Sequence, residues 1–135
     1  MAGYSKTKLI DKLGIKPGWK IYLLNTPGNY FDLLGTMPYG ISITRKLTGK
    51  INFIHYFTKE RKELEINFPV LKKNLLKDGM MWISWPKGSS KVKTDINENV
   101  IRETGLREGL VDVKVCSVDE IWSGLKFVYR ITDRK

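Results

Sequence analysis

The stretch from Gly79 to Gly105 constrains the fold of this chain more than any other part of its sequence. It opens with an apolar run, Met80 to Trp85, that lacks polar alternation and is therefore typical of a central parallel strand buried on both faces. Pro86 ends that strand, because proline has no N–H to donate to a sheet. A basic loop, Lys87 to Lys93, comes next, followed by an amphipathic helix that is predicted to stop at Gly105. A buried strand, a loop and a helix in this order predict an α/β domain.

The loop after the Met80–Trp85 strand has the composition of an anion-binding site. It holds three lysines and no acidic residue, and either Thr94 or Asp95 is placed to cap the helix that follows. A helix N-terminus carries about half a positive elementary charge, and ligands of open α/β sheets sit at the carboxyl ends of strands. We therefore predict a site for a phosphate-bearing or other anionic ligand, faced by the loop after the first strand. Its predicted residues are Asn25, Asn29, Ser89, Ser90, Lys91, Lys93 and Thr94.

The same loop has a second interpretation. It lacks the GxxxxGKS or GxxxxGKT signature of a P-loop. Asp95 and Glu98 also have the spacing of a capping box, in which a helix is capped by its own side chains. A solvated loop in front of a self-capped helix is therefore the alternative to an anion site.

The rest of the chain alternates predicted strands and helices. Helices are predicted over residues 6–13, with Ser5 as cap, and 30–34, and from Lys59 onward, where Pro69 breaks or kinks the helix. Strands are predicted over residues 20–25, 41–47, 51–57, 111–115 and 125–131. The strands over 41–47 and 51–57 either pair as a hairpin or lie apart in the sheet. The last two strands are joined by too few residues for a helical crossover, so they form an antiparallel hairpin. The predicted fold is a three-layer Rossmann-like α/β fold, with a mostly parallel sheet and a C-terminal antiparallel hairpin.

Length, cysteine content and hydropathy predict the domain count and the compartment. A chain of 135 residues is expected to form one domain over residues 1–135. No apolar run approaches the roughly 20 residues that span a bilayer, so no membrane association is expected. The first residues lack the apolar core of a signal peptide, and a single cysteine excludes an intrachain disulfide. A cytoplasmic location is the resulting expectation.

The charge of the chain is uneven. Residues 1–62 hold 11 of the 24 basic side chains but only 3 of the 14 acidic ones, so most of the net charge of +10 lies there. A basic half can attract nucleic acid, whereas dispersed lysines are also typical of a solvated surface. Nucleic acid is therefore one candidate partner.

Few side chains suggest catalysis or metal binding. His55 is the only histidine and Cys116 the only cysteine, so no metal-ligand spacing is present and no metal site is predicted. His55 lies within an aromatic strand, where a hydrogen-bonded structural histidine is expected and a catalytic base is the alternative. Asp119 and Glu120 lie at the tip of the C-terminal hairpin, where they either cap the turn or form an acid–base pair. No catalytic residue is predicted.

Several segments resemble those of class I S-adenosylmethionine methyltransferases. Four segments match that fold in a shortened form: the strand at Lys20–Asn25, the turn at Lys77–Gly79, the strand after this turn, and the closing hairpin. The turn is similar to the "KPGG" turn of those enzymes. As a whole, the sequence is similar to a bacterial family of short proteins classed as a domain of unknown function. The segments that carry this second similarity are SKTKLIDKLGIKPG, GMMWISWPKGSSKVKTDINENVIRETGL and GLVDVKVCSVDEIWSGLKFVYR.

The chain departs from the methyltransferase pattern at two places. Methyltransferases carry a glycine-rich loop after the first strand, whereas the loop from Asn25 to Tyr30 holds one glycine. They also carry an acid at the end of the second strand, which accepts hydrogen bonds from ribose hydroxyls. Arg45 and Lys46 stand there instead; these side chains only donate hydrogen bonds and are suited to a phosphate.

Three hypotheses of function follow. The first is a non-catalytic or degenerate methyltransferase-like module that binds an anionic small molecule at the loop after the Met80–Trp85 strand. The second is a small S-adenosylmethionine-dependent methyltransferase, as the resemblance implies. The third is a nucleic-acid-binding domain that acts through its basic N-terminal half.

Overall fold

The computed structural model describes residues 8–134. Its helices are α1 (Leu9–Leu13), α2 (Tyr30–Leu34), α3 (Arg61–Lys73) and α4 (Glu98–Arg107). Its strands are β1 (Lys20–Leu24), β2 (Ser42–Thr44), β3 (Ile51–Phe57), β4 (Leu75–Pro86), β5 (Leu110–Ser117) and β6 (Trp122–Tyr129). Two short 3₁₀ turns lie at Gly88–Ser90 and Ile131–Asp133. The predicted start of the first helix, at Ser5 and Lys6, falls outside the described residues. Within residues 8–134 no helix combines the length and the apolar composition that a bilayer crossing requires.

The six strands form one mixed sheet in the order β2-β1-β3-β4-β6-β5. Strands β1 to β4 pair in parallel, and β6 pairs antiparallel with both β4 and β5. The mostly parallel sheet and its antiparallel C-terminal hairpin are therefore confirmed. Strands β2 and β3 lie apart, because β1 is inserted between them.

Helices cover both faces of the sheet, which gives the expected three layers. Along β3, Ile54 and Tyr56 pack with α3 and α4, whereas Phe53 and Phe57 pack with α1 and α2. We call these two sides the α3/α4 face and the α1/α2 face. Every residue of β4 from Met80 to Pro86 is buried, as a central strand with helices on both sides requires.

Three predicted boundaries are wrong. The second strand covers only Ser42–Thr44, because it is an edge strand with one neighbour, and Ile43 is 47% exposed rather than buried. Strand β4 begins at Leu75, so the predicted Lys77–Gly79 turn is an irregularity within the strand, where its register against β3 shifts. Helix α4 continues past Gly105 to Arg107.

Helix α3 runs through Pro69 without a break into two helices. A proline in a helix interior costs about 3 kcal/mol, because it removes a hydrogen bond and crowds the preceding turn. Leu64, Phe68 and Leu71 of this helix are almost fully buried against the sheet. Burying each such side chain contributes about 1.5–3 kcal/mol, so packing outweighs the cost of the proline.

A polar link crosses the interior of the α1/α2 face. The imidazole of His55 is fully buried on β3, with Nδ1 at 2.7 Å from the Tyr30 hydroxyl and Nε2 at 2.7 Å from Ser84 Oγ. Burial raises the pKa of Tyr30, which therefore stays protonated, and lowers the pKa of His55 from 6.5 to about 3. We assign the tyrosine as donor to Nδ1 and Nε2–H as donor to the serine. The link joins α2 to the two central strands, and it confirms that His55 is hydrogen-bonded within the core.

Gly105 sets how closely α4 approaches the hairpin. A Cβ at this position would lie 2.0 Å from the ring of Phe127, a fully buried residue of β6. We expect Gly105→Ala to lower the free energy of unfolding by about 1–3 kcal/mol through overpacking, although alanine in an open helix position would raise it by about 1 kcal/mol. Urea unfolding measures the change. Gly28→Ala is the control, since a Cβ there meets no atom within 4 Å. Equal stability of Gly105→Ala and the wild type would contradict this close packing.

The neutral imidazole of His55 makes stability depend on pH. Since its pKa is 6.5 when unfolded and about 3 when folded, the unfolded chain binds more protons between these values. The contribution of the neutral imidazole to the free energy of unfolding is therefore fully present above pH 6.5. It falls as the pH drops, by about 2 kcal/mol between pH 7.5 and pH 5. Urea unfolding at several pH values measures this slope. His55→Gln should be less stable at pH 7.5 and show a flatter profile; a wild-type profile that is flat down to pH 5 would refute the prediction.

Candidate functional site

The sheet has a switch point between β1 and β3. The chain leaves β1 toward α2 on the α1/α2 face, and it leaves β3 toward α3 on the opposite face. The two connections therefore diverge at the carboxyl ends of neighbouring parallel strands and leave a crevice. In open α/β sheets this is where ligands bind.

A pocket of about 270 Å³ occupies this crevice. It is lined by Asn25, Phe57, Thr58, Lys59, Glu60, Glu63 and Trp122. Asn25 follows β1 and has a φ of +59°, a left-handed conformation that asparagine tolerates better than most residues. The turn it makes directs the chain away from the strand and leaves the crevice open.

Glu63 is the best-fixed polar group of the pocket. Its Oε1 accepts hydrogen bonds from Asn25 Nδ2 at 2.9 Å and from the Tyr56 hydroxyl at 3.1 Å. Burial raises the pKa of Tyr56 to about 12, so this phenol keeps its proton and remains a donor. Asn67 Nδ2 in turn donates to the tyrosine oxygen at 3.0 Å. Glu63 is thus held by Asn25, which follows β1, and by Tyr56 of β3, and its carboxylate can accept further hydrogen bonds from a ligand.

Two aromatic rings form the apolar part of the pocket. Phe57 ends β3 and Trp122 begins β6, and their ring centroids lie 5.1 Å apart in an edge-to-face arrangement. Asp119 fixes the turn that leads into Trp122, because its Oδ1 accepts hydrogen bonds from the backbone N–H groups of Ile121 and Trp122, each at 2.8 Å. Asp119 therefore caps the turn, which was one of the two roles that the sequence allowed for it.

The structure brings two of the predicted anion-site residues to this crevice. Asn25 lines the pocket, and Thr94 lies at its rim, where its Oγ1 donates to the carbonyl of Lys59 at 2.6 Å. Asn29 is exposed and makes no side-chain capping bond to α2. Ser90 Oγ donates to the Lys87 carbonyl, also at 2.6 Å, within the 3₁₀ turn. Ser89, Lys91 and Lys93 are exposed.

The helix after the basic loop begins later than predicted. The N-cap of α4 is Asn97, whose side chain accepts from Val100 N at 2.9 Å, so neither Thr94 nor Asp95 caps it. Asp95 Oδ1 instead accepts from Arg61 N at 2.7 Å and so holds the start of α3. The capping box is therefore wrong, and α4 does not present its N-terminus directly behind the basic loop. An anion site in this loop stays a prediction that now depends on Ser89, Lys91 and Lys93.

The sequence prediction missed most of the residues that line the pocket. The available signal for three of them was their position after the carboxyl end of the buried strand β3, where ligands of α/β sheets bind. These residues are Lys59, Glu60 and Glu63. Trp122 gave no such signal, because it reaches the pocket only through the antiparallel pairing of β6 with β4. Within residues 8–134 no group of three or more His, Cys, Asp or Glu side chains lies close enough to hold a metal ion.

Solved methyltransferase structures share the fold of this chain. An S-adenosylmethionine-dependent methyltransferase from Aquifex aeolicus matches 89% of the chain and 87% of its own length at 12% identity, with a TM-score of 0.59. A TehB-like methyltransferase from Corynebacterium glutamicum matches 90% and 85% at 15% identity, with a TM-score of 0.57. Magnesium protoporphyrin IX methyltransferase from Synechocystis, with bound SAH, matches 84% and 75% at 14% identity and a TM-score of 0.57.

Comparisons of sequence do not assign the chain to a protein family. No protein-family model matches the chain, and no curated protein does. At identities of 12–15% the similarity to the solved structures concerns the fold alone. The similarity to a bacterial family of short proteins accordingly stays a prediction. The chain therefore has a shortened, methyltransferase-like Rossmann fold, with a pocket at the switch point of the sheet.

Proposed function

We propose that this chain binds S-adenosylmethionine in the pocket between β1 and β3 and acts as a small methyltransferase. The observation that carries the proposal is Glu63, a carboxylate fixed by Asn25 and Tyr56 at the switch point of a methyltransferase-like sheet. One solved neighbour with this fold holds SAH. That carboxylate would supply the hydrogen-bond acceptor that the end of β2, with Arg45 and Lys46, lacks.

The residues of the pocket fit a positively charged nucleoside better than a polyphosphate. Two carboxylates, Glu60 and Glu63, line the pocket against one lysine, Lys59. Ribose hydroxyls and an ammonium group donate hydrogen bonds, which carboxylates accept, and a sulfonium charge is stabilised by nearby negative charge. The half-buried ring of Trp122, supported from behind by the buried ring of Phe57, offers apolar surface to a purine ring.

The chain's own residues would bind and orient the cofactor. When bound, S-adenosylmethionine supplies an electrophilic methyl group. Glu63 would hold the nucleoside, and Glu60, exposed at the rim, would be the carboxylate available to accept a proton from a methyl acceptor. His55 would have no direct part, because its ring is buried and both of its nitrogens are hydrogen-bonded.

A second candidate function is a non-catalytic module that binds an anion at the basic loop. It is favoured by the exposed side chains of Lys91 and Lys93, which form no ion pair within residues 8–134. The single glycine in the loop from Asn25 to Tyr30 also favours it, because a methyltransferase usually has more backbone room there.

The Glu63→Gln variant tests the first proposal. We expect saturable binding of S-adenosylmethionine to the wild type by calorimetry, and about tenfold to hundredfold weaker binding to Glu63→Gln, as expected when a hydrogen bond to a charged group is lost. The substitution is isosteric, so the fold should be retained. Glu103→Gln is the matched control, since it removes an equal charge from an exposed position on α4.

Amide chemical shifts and turnover separate the two candidates. Shifts at Asn25 and over residues 58–63 on addition of S-adenosylmethionine would support the first. When a methyl acceptor is also present, the formation of S-adenosylhomocysteine together with the methylated acceptor would be the sign of turnover. Shifts confined to residues 89–94 on addition of inorganic phosphate, with no response to S-adenosylmethionine, would overturn the first proposal and support the second.

A further inference from the structure

Two lysines lie directly opposite each other on the C-terminal hairpin. Lys114 of β5 and Lys126 of β6 are register partners, which places their Cβ atoms about 5 Å apart. Like charges in this arrangement destabilise a sheet. Every ion pair among residues 8–134 uses an arginine, so no carboxylate within hydrogen-bonding range neutralises this lysine pair. The hairpin thus carries an uncompensated repulsion.

The end of α1 adds further lysines to this pair. Lys114 Nζ donates to the carbonyl of Lys12 at 3.2 Å, so α1 ends beside the hairpin. Lys16 follows the end of α1 by three residues. Burial lowers the pKa of Lys126, and the positive charges of Lys114 and Lys16 lower it further. The hydrogen bond to α1 accounts for the position of Lys114. It does not account for the presence of two further positive charges, Lys16 and Lys126.

Lys87 extends the cluster past the end of β4. Its Nζ lies 2.6 Å from Ser117 Oγ at the end of β5. Burial raises the pKa of the Cys116 thiol, while the charges of Lys12, Lys87 and Lys114 oppose that rise. Five lysines from five segments therefore gather around the α1/α2 side of the hairpin. We call this surface the basic face: Lys12, Lys16, Lys87, Lys114 and Lys126.

An exposed aromatic residue lies on the loop that is joined to the turn after Lys16. The side chain of Tyr39 is 90% exposed, which is unusual for a residue that generally packs its ring. Its carbonyl accepts a hydrogen bond from Gly18 N at 2.9 Å, so its loop is attached to the turn that follows Lys16. Lys16 in turn lies over the ring of Trp19, at 5.9 Å from the centroid.

We propose that the basic face binds single-stranded nucleic acid, with its lysines on the phosphates and Tyr39 stacked on a base. A row of cations beside an exposed aromatic ring is the combination that single strands require, because their bases are free to stack. Phosphates between Lys114 and Lys126 would also relieve the repulsion of that pair. None of these residues lines the pocket between β1 and β3, so the proposal does not depend on cofactor binding.

The surroundings of the basic face favour nucleic acid over an anionic membrane. Surface-bound proteins bury contiguous apolar side chains in the lipid interface. Val115, an exposed apolar residue of β5, alternates with Lys114 and so projects from the other face of the sheet, whereas Val113 is the extra residue where the register of β5 against β6 shifts. The third hypothesis from the sequence placed nucleic acid on the N-terminal half, whereas the basic face draws on both halves of the chain.

The test is the anisotropy of a labelled single-stranded oligoadenylate of about 12 nucleotides, a length suited to a single binding site. The variant Lys114→Gln/Lys126→Gln should bind about tenfold more weakly than the wild type, with a salt slope smaller by about 1.4 because two phosphate contacts are lost. Lys62→Gln/Lys73→Gln removes the same charge from exposed positions on α3 and should bind as the wild type does. Equal effects of the two double variants would overturn the proposal.

Tyr39→Leu separates stacking from charge. We expect about fivefold to hundredfold weaker binding of the single strand, with an unchanged salt slope and unchanged binding of the matching duplex, whose bases are covered. Thermal melting checks the fold: the hairpin double variant should melt no lower than the wild type, because it removes a repulsion. Failure of the wild type to bind the single strand at about 50 mM salt, or binding of phosphatidylserine vesicles in its place, would overturn the proposal.

Discussion

The buried contact of His55 with Tyr30 and Ser84 is the interaction on which the arrangement of the crevice depends. An imidazole with no exposed surface is tolerated only if both ring nitrogens are hydrogen-bonded. The link fixes α2, which leaves β1, against the central strands β3 and β4. Because the Asn25–Asn29 loop connects β1 to that helix, the link also holds one wall of the crevice. A helix of five residues would have little stability without such tertiary contacts.

Other buried polar groups on the same face are satisfied in a similar way. Trp82 Nε1 donates to the carbonyl of Leu13 at 2.9 Å, which holds the end of α1 over β4. Gly124 leaves room for this arrangement, since a Cβ there would lie 3.1 Å from the Trp82 ring and 3.2 Å from Ser84 Oγ. Among the described residues no buried side-chain N or O atom lacks a hydrogen-bond partner. The α1/α2 face is thus specified by polar contacts in addition to apolar packing, and these contacts help to hold its two short helices.

The sequence predicted the fold well because apolar periodicity reports burial on each face of a strand. The continuous run at Met80–Trp85 and the alternation over residues 125–131 gave the central strand and the hairpin directly. Boundaries failed where a tertiary contact decides the outcome. Asp95 accepts from Arg61 N at the start of α3 instead of capping α4. The buried neighbours of Pro69 decide, in favour of one helix, between the two outcomes that the sequence left open. Neither contact leaves a mark on local periodicity.

The candidate site was harder to predict, because its groups converge only through the topology. Asn25 and Glu63 are far apart in the sequence and meet since β1 and β3 are neighbours in the sheet. Trp122 reaches the same pocket through its pairing with Pro86 at the end of β4. The anion-site prediction used composition, which locates lysines but does not reveal which distant side chains the fold brings beside them. Register partners such as Lys114 and Lys126 are likewise visible only once strand pairing is known.

The pocket and the basic face meet at the end of β4, and this gives the two proposals a common consequence. Lys87 belongs to the basic face through Ser117, whereas the preceding residue, Pro86, pairs with Trp122 of the pocket wall. A nucleic-acid strand that continued along the basic face past Lys87 would therefore arrive beside the aromatic rings of the pocket. The charge distribution agrees with this order, because the lysines would attract the phosphates while the carboxylates of Glu60 and Glu63 would repel them from the pocket itself. If both proposals hold, a nucleotide within a single strand is the class of methyl acceptor that the geometry favours.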